Sequence, residues 1–180
     1  DLERIEKEEW IVGNLFDVVQ AFLNSELDPE NNPIYAYLPP YWKQYCELRG
    51  IPFDPTDLIL LLKSQYGQTD SAKLWVDKFV KILTDKGGCE MLRSKVDPCV
   101  LYKKDKKGKL ILLLVFHIDD GYVAGKPEEV RKMMAHLQAS VEVLEIGRMD
   151  EPLGVRYRLQ KDNGGWYYAG QMDKHINKDV

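Results

Sequence analysis

The sequence predicts an α+β domain, an antiparallel sheet with helices packed on one face, and three observations carry that expectation. The first is the apolar run Leu110 to Phe116, ended by His117-Ile118-Asp119-Asp120 and followed at once by Gly121-Tyr122-Val123-Ala124-Gly125. Unbroken hydrophobicity of that length, bounded by turn residues, reads as a strand buried on both faces; the two aspartates read as the tip of a β-hairpin. The second is a pair of amphipathic helix patterns. One runs from near Ser71 to Lys86, with Leu74, Trp75, Phe79, Ile82 and Leu83 on one face and Gly87-Gly88 as its stop. The other opens at Pro127, a favoured first-turn position, and turns Val130, Met133, Met134, Leu137 and Val141 inward. The third is a terminal hairpin over 154–160 and 165–170, turning at Asp162-Asn163-Gly164-Gly165.

The remaining elements follow in chain order. Residues 1 to 9 are dominated by charge and read as a short exposed helix. A strand near 10–17 leads into a short helical turn from Val18 to Asn24. Residues 28 to 57 hold Pro29, Pro33, Pro39, Pro40, Pro52 and Pro55 and read as an irregular, aromatic-rich excursion, followed by a short apolar segment from Leu58 to Leu62. Strands near 98–103 and 109–117 are joined by a turn carrying Lys103, Lys104, Lys106, Lys107 and Lys109, and a third near 121–125 completes a meander. Those lysines read as a solvated turn that discourages edge pairing, with contact to backbone phosphates as the second reading. The Met133–Met134 pair reads as core filling. There are no internal repeats.

The chain of 180 residues has the length of one domain, and its hydrophobic share of 44% is enough for a core. No apolar run reaches the length that spans a bilayer, and the charged start Asp1-Leu2-Glu3-Arg4 is no signal peptide. Cys46, Cys89 and Cys99 have no metal-binding spacing and leave one thiol over, which points to a reducing, intracellular compartment; Cys99 reads as a small core residue of an apolar strand. The net charge of −4 argues against a stand-alone nucleic-acid binder, where a basic footprint is expected. The absent initiator Met and the end at Val180 suggest a piece of a longer polyprotein.

The chemistry lies in the aspartates. Asp119-Asp120 is compatible with plain turn chemistry, since Asp tolerates tight turns. Two adjacent carboxylates at the mouth of an apolar hairpin nevertheless repel one another, and burial penalises them further unless a cation neutralises them. Asp17 stands where another strand gives way to a helical turn and taken alone reads as an N-cap. Taken together, two strand ends carrying carboxylates suit a two-metal phosphoryl-transfer centre, because magnesium combines a few carboxylates with substrate phosphate oxygens.

Here the sequence resembles a known family. Phe16-Asp17-Val18-Val19-Gln20-Ala21-Phe22-Leu23-Asn24 resembles the D-V-x-x-A-F-L-N block of copia-type LTR-retrotransposon reverse transcriptases, and His117-Ile118-Asp119-Asp120 their Y-V-D-D block. Ile34 to Pro39 resembles I-Y-M-x-x-P, Leu62 to Trp75 resembles L-K-K-S-L-Y-G-L-K-Q-S-P-R-x-W, Ser94 to Tyr102 resembles S-D-P-C-V-Y, and Ala124-Gly125-Lys126 the A-G-K that closes the hairpin. The blocks keep the family's order over about residues 10 to 126; Leu153-Gly154-Val155 and Gly165 to Gln171 resemble its later L-G-I and L-Y-L-S-Q segments more loosely.

The resemblance implies a right-hand polymerase palm with part of the fingers over residues 1–180, and an RNA-directed DNA polymerase. Asp17, Asp119 and Asp120 would then be its catalytic and metal-binding carboxylates, Asp120 the less directly engaged, with magnesium, or manganese in its place, as the ion. It also implies a Val18 carbonyl near one ion, Phe22 under the incoming sugar, and Tyr66 and Gly67 against nucleotide and template base. The implied partners are an RNA or DNA template–primer and deoxynucleoside triphosphates, and the rest of a Pol polyprotein with integrase and RNase H. No membrane is implied, and the setting would be a cytoplasmic virus-like particle or the nucleus. For Phe22 the competing account is a core phenylalanine; for Gly67, a simple turn glycine.

The sequence departs from the family in three places. His117 replaces the usual Tyr, Thr69 and Asp70 replace Lys-Gln, and Ala72 replaces Pro. Only sixteen residues precede Asp17, so most of the fingers are expected to lie elsewhere. These changes support an alternative: a domesticated or decayed retrotransposon-derived domain acting as a structural or protein-binding module with a host partner.

Overall fold

The run from Leu110 to His117 does form a strand, but not one buried on both faces. In the computed structural model, which describes residues 11–148, 156–162 and 165–171, Leu112, Leu114 and Phe116 are buried, whereas Leu113 is half-buried, Val115 is 40% exposed and His117 is exposed. A strand cannot report from its own composition whether both of its faces will be covered; that depends on what the rest of the chain lays over it.

Among the described residues the strands are β1 (Ile11–Val18), β2 (Tyr35–Tyr37), β3 (Leu58–Leu60), β4 (Leu92–Arg93), β5 (Val100–Lys104), β6 (Leu110–His117), β7 (Asp120–Gly125), β8 (Val143–Arg148), β9 (Arg156–Asp162) and β10 (Gly165–Gln171). The α-helices among them are α1 (Trp42–Arg49), α2 (Ser71–Thr84) and α3 (Pro127–Ser140), and a 3₁₀ turn covers Ala21–Asn24. A six-stranded antiparallel sheet runs in the order β4-β5-β6-β7-β1-β8, while β9–β10 and β2–β3 form two-stranded ladders. The protein is therefore a mixed α/β fold built on an antiparallel sheet. Two compact units divide it: Gln20–Val76 forms one, and the segments on either side form the other, the boundary falling within α2.

In the sheet unit, side chains alternate between a closed and a half-open face, as strand geometry requires. The closed face carries Phe16 and Val18 of β1, Leu101 of β5, Leu112, Leu114 and Phe116 of β6, and Val123 of β7, all buried. Phe79 of α2 lies against it, its ring centroid 4.8 Å from that of Phe116 and 6.5 Å from that of Phe16. Helix α3 packs against β6 and β7 and buries Val130, Met133, Met134 and Leu137, the face its periodicity predicts, with Val141 buried at its end. The opposite face holds Val115, Tyr122 and Ala124, all partly open to solvent, and Leu15, which is buried.

In the unit Gln20–Val76, the expected irregular excursion contains order that the sequence did not announce. Its prolines bracket short elements: β2 pairs with β3, Tyr35 opposite Leu60 and Tyr37 opposite Leu58, and α1 forms between Pro40 and Pro52. Helix α1 buries Cys46 alone among its eight residues, so it lacks the repeating apolar stripe by which a helix is recognised. Cys99 is likewise not a strand residue. It precedes β5, half-buried, with its N–H on Asp97 Oδ1 at 2.8 Å; Cys46 and Cys89 are the buried cysteines. The expected helix over residues 1–9 lies outside the described residues. Among the described residues, no helix is long and apolar enough to cross a membrane.

Candidate functional site

Strand register assembles the aspartates. Asp17 of β1 stands opposite Asp120 of β7, and Asp120 stands opposite His117 of β6. One residue back along each strand, Phe16 faces Gly121 and Gly121 faces Phe116. Because successive side chains point to opposite faces, this register puts the aromatic row on the closed face and the row Asp17–Asp120–His117 on the half-open one. On the other side of β1, Leu144 of β8 pairs with Asp17 and extends the row with an apolar neighbour, 55% exposed. Strand β8 has too few apolar residues to set a period, so this neighbour has no local signature in the sequence.

The hairpin tip is Ile118-Asp119 rather than Asp119-Asp120, and Asp120 is already the first residue of β7. Ile118 has φ +54°, a left-handed conformation that a β-branched residue rarely accepts. The surrounding ladder holds it there: β6 and β7 are paired up to His117 and Asp120, and the Val18 N–H donates to the Asp119 carbonyl at 2.9 Å, tying the tip to β1. Backbone strain of this kind persists only where the surrounding structure over-determines it.

The proximity of the carboxylates shifts Asp17 and Asp120. Burial, then the negative charges of Asp119 and Asp120, raises the Asp17 carboxyl above its ordinary range. Burial and then Asp119 likewise raise Asp120, against a smaller lowering by His117. Among the described residues, no lysine or arginine forms an ion pair with any of the three. The carboxylates therefore form an oxygen donor set with no lysine or arginine paired to it among the described residues, which suits a hard divalent cation rather than a transition metal. Among the described residues, no three His, Cys, Asp or Glu side chains stand close enough to hold an ion unaided. Magnesium tolerates that, because it binds through one or two carboxylates and completes its shell with water and phosphate oxygens.

The other sequence-selected residues fall into two places. Val18 is buried in β1, and its side chain belongs to the core. Phe22, Tyr66 and Gly67 belong to the unit Gln20–Val76. There the Phe22 ring meets the Tyr66 ring with centroids 4.8 Å apart and planes tilted by 59°. Phe22 is half-buried, so it is not a fully enclosed core phenylalanine, and Tyr66 is 63% exposed. Ser64 fixes the segment by donating its hydroxyl to the Phe22 carbonyl at 2.6 Å, and Ser71 Oγ donates to the Gln65 carbonyl at 2.6 Å. Gly67 has φ +92°, which only glycine adopts without strain, and open space where a side chain would begin.

Comparison with known proteins narrows the origin of this geometry. No family model and no solved structure matches the chain. Over 141 residues, 78% of the chain, the sequence is 28% identical to the retrovirus-related Pol polyprotein from transposon TNT 1-94 of Nicotiana tabacum. The chain spans about a tenth of the length of that polyprotein, 10% of it. This similarity supports a retrotransposon origin for the sequence.

Proposed function

We propose that the chain is the palm portion, with part of the fingers, of an RNA-directed DNA polymerase that adds deoxynucleotides to a primer 3′-hydroxyl. The observation that carries this reading is the meeting of Asp17 with Asp119 and Asp120, carboxylates from distant parts of the chain whose charges help raise the Asp17 carboxyl above its ordinary range and which have no ion-pair partner among the described residues. In the reaction, the 3′-hydroxyl attacks the α-phosphorus in line and pyrophosphate leaves. Asp17 and Asp119 would hold magnesium, with Asp120 less directly engaged; the bound ions would supply the positive charge that the attacking and leaving oxygens need. The chain's own contribution is to hold Asp17 and Asp120 opposite each other in paired strands, with Asp119 on the adjoining hairpin tip, so that the carboxylates are in place before charge develops. An RNA or DNA template–primer and deoxynucleoside triphosphates are the partners this reading requires, within a longer Pol polyprotein.

Extension of a DNA primer on an RNA template, together with thermal melts in magnesium and in manganese, tests the proposal. Ion-dependent extension and an ion-dependent rise in melting temperature are expected. No extension, with a melting temperature indifferent to both ions, would overturn it. That outcome favours the second reading, a co-opted or decayed domain keeping the fold as a structural module, which the departures from the family at Thr69, Asp70, Ala72 and His117 support.

Phe22 offers a separate check on substrate class. If its ring guards against a ribose 2′-hydroxyl, Phe22→Ala should shift the ribonucleotide-to-deoxyribonucleotide ratio of kcat/KM by roughly tenfold or more, more than one kcal/mol of discrimination. Stability should fall by only about 1–2 kcal/mol, because the ring is half-buried and loses mainly its contact with Tyr66. An unchanged ratio with a large drop in melting temperature would return Phe22 to a packing role.

A further inference from the structure

The turn between β5 and β6 carries a charge arrangement that the aspartate site does not use. Lys104 ends β5, Lys106 and Lys107 occupy the turn, and Lys109 precedes β6; all four are exposed. Asp105 sits among them but is engaged by the backbone. Its Oδ1 accepts the N–H groups of Lys107 and Lys109, both at 2.9 Å, and these bonds help hold its carboxyl below the ordinary range. The Asp105 N–H donates in turn to the Lys109 carbonyl at 2.8 Å, so the tip is a hydrogen-bonded loop of exposed lysines, with the Lys104 ammonium over the Tyr102 ring 5.5 Å from its centroid. Lys126, at the end of β7, lies close enough to Asp105 to lower its pKa as well. Lys103 is excluded from this set, since Glu129 holds it at 3.0 Å.

Among the described residues, none of Lys104, Lys106, Lys107, Lys109 and Lys126 forms an ion pair. Five lysines stand against Asp105 and the neighbouring Glu128 on a chain whose net charge is −4, so positive charge is segregated here. Protection of a sheet edge accounts for part of this: β4 pairs only with Leu101 and Tyr102, leaving the end of β5 open beyond it. It does not account for Lys106, Lys107 or Lys126, which lie on no edge strand. The turn also carries no apolar side chain from Lys103 to Lys109 with which to enter a bilayer.

We infer that this tip is a second contact for nucleic acid, gripping the phosphodiester backbone one strand length away from the aspartate row. The identity of the polyanion rests on the polymerase reading; the charge and the spacing do not. Strand β6 joins the two places, with Lys109 just before its first residue and His117, opposite Asp120, as its last. Its eight residues span roughly 25 Å at about 3.3 Å each. At about 3.4 Å per base pair, that is roughly seven base pairs of duplex.

The test is fluorescence anisotropy of the chain with hairpin-closed RNA–DNA duplexes of about four and about twelve base pairs, in magnesium and without nucleotide. The variant combines Lys104→Gln, Lys106→Gln, Lys107→Gln and Lys109→Gln, which keeps the backbone N–H groups that Asp105 needs. For the longer duplex, affinity should fall roughly tenfold or more, and the slope of log K against log salt should become shallower by about three. The short duplex should bind as before, and the melting temperature should not change. Equal loss on both lengths, no loss on either, or loss on phosphatidylserine vesicles with duplex binding intact would each overturn the inference. Should Asp119→Asn leave nucleotide addition untouched, the polymerase reading fails while a length-dependent loss in this variant still stands.

Discussion

Replacing Asp17 or Asp119 by Asn is expected to reduce ion-dependent nucleotide addition by about 10³-fold, roughly 4 kcal/mol of transition-state stabilisation. Asn keeps the size of the side chain and removes the charge, so the fold should survive. For Asp17→Asn, metal-free stability should in fact rise slightly. A carboxyl whose folded pKa is raised favours folding when protonated, so that contribution is complete below the ordinary Asp range and is lost as pH climbs through the raised value. Asp17 is raised by burial and then by Asp119 and Asp120, so above that window its ionisation works against the fold. Much of the group remains open to solvent, and after screening the gain for Asp17→Asn is a few tenths of a kcal/mol, largest near neutral pH and absent near pH 3. The measurements are primer-extension rates and the difference in melting temperature between variant and wild type across that pH range, with and without magnesium. Magnesium should raise the melting temperature of wild type and not of the variant. A variant that retains full activity, or that melts below wild type without ions, would remove the carboxylate cluster as the functional centre.

Gly121→Ala is the substitution expected to damage the fold most, by about 3 kcal/mol or more. Gly121 lies between Phe16 and Phe116 in the cross-strand row on the closed face. A Cβ there would fall inside the Phe16 ring. The ring cannot swing away freely, because Phe16 is buried and Phe79 lies against both it and Phe116. Adding one methyl group must therefore displace β7 or expel an aromatic ring, and Asp120, the adjacent residue, would move with it. Chemical denaturation should show the loss. Phe16→Leu in the same chain should recover part of it, giving a coupling energy of about 1 kcal/mol or more between the two sites. Additive effects of the two substitutions would mean that the ring and the glycine are not in conflict.

The sequence alone determined the elements whose signals are local. Helices α2 and α3 are written in apolar spacings of three and four with a glycine pair or a proline at their ends, and they fold where those signals lie. The β6–β7 hairpin follows from one long apolar run, a break and a second run, and it marked Asp119 and Asp120 as candidates. Asp17 was legible from the block of residues around it, not from its chemistry, since a single aspartate at the end of a strand is as easily a cap.

Tertiary structure alone decided the rest, because it depends on what faces what. Helix α1 and strands β2, β3 and β8 are too short or too weakly patterned to announce themselves, and they exist where neighbours supply pairing or cover. The single long run of β6 could not say that one of its faces would stay half-open, since hydrophobicity records what a residue tolerates and not what is laid over it. The meeting of Asp17 with Asp120 is set by the antiparallel register of β1 and β7, and a slip of one residue would send every side chain of β1 to the other face. Register is a property of paired strands. That is why the carboxylates were visible one at a time in the sequence and became a site only in the fold.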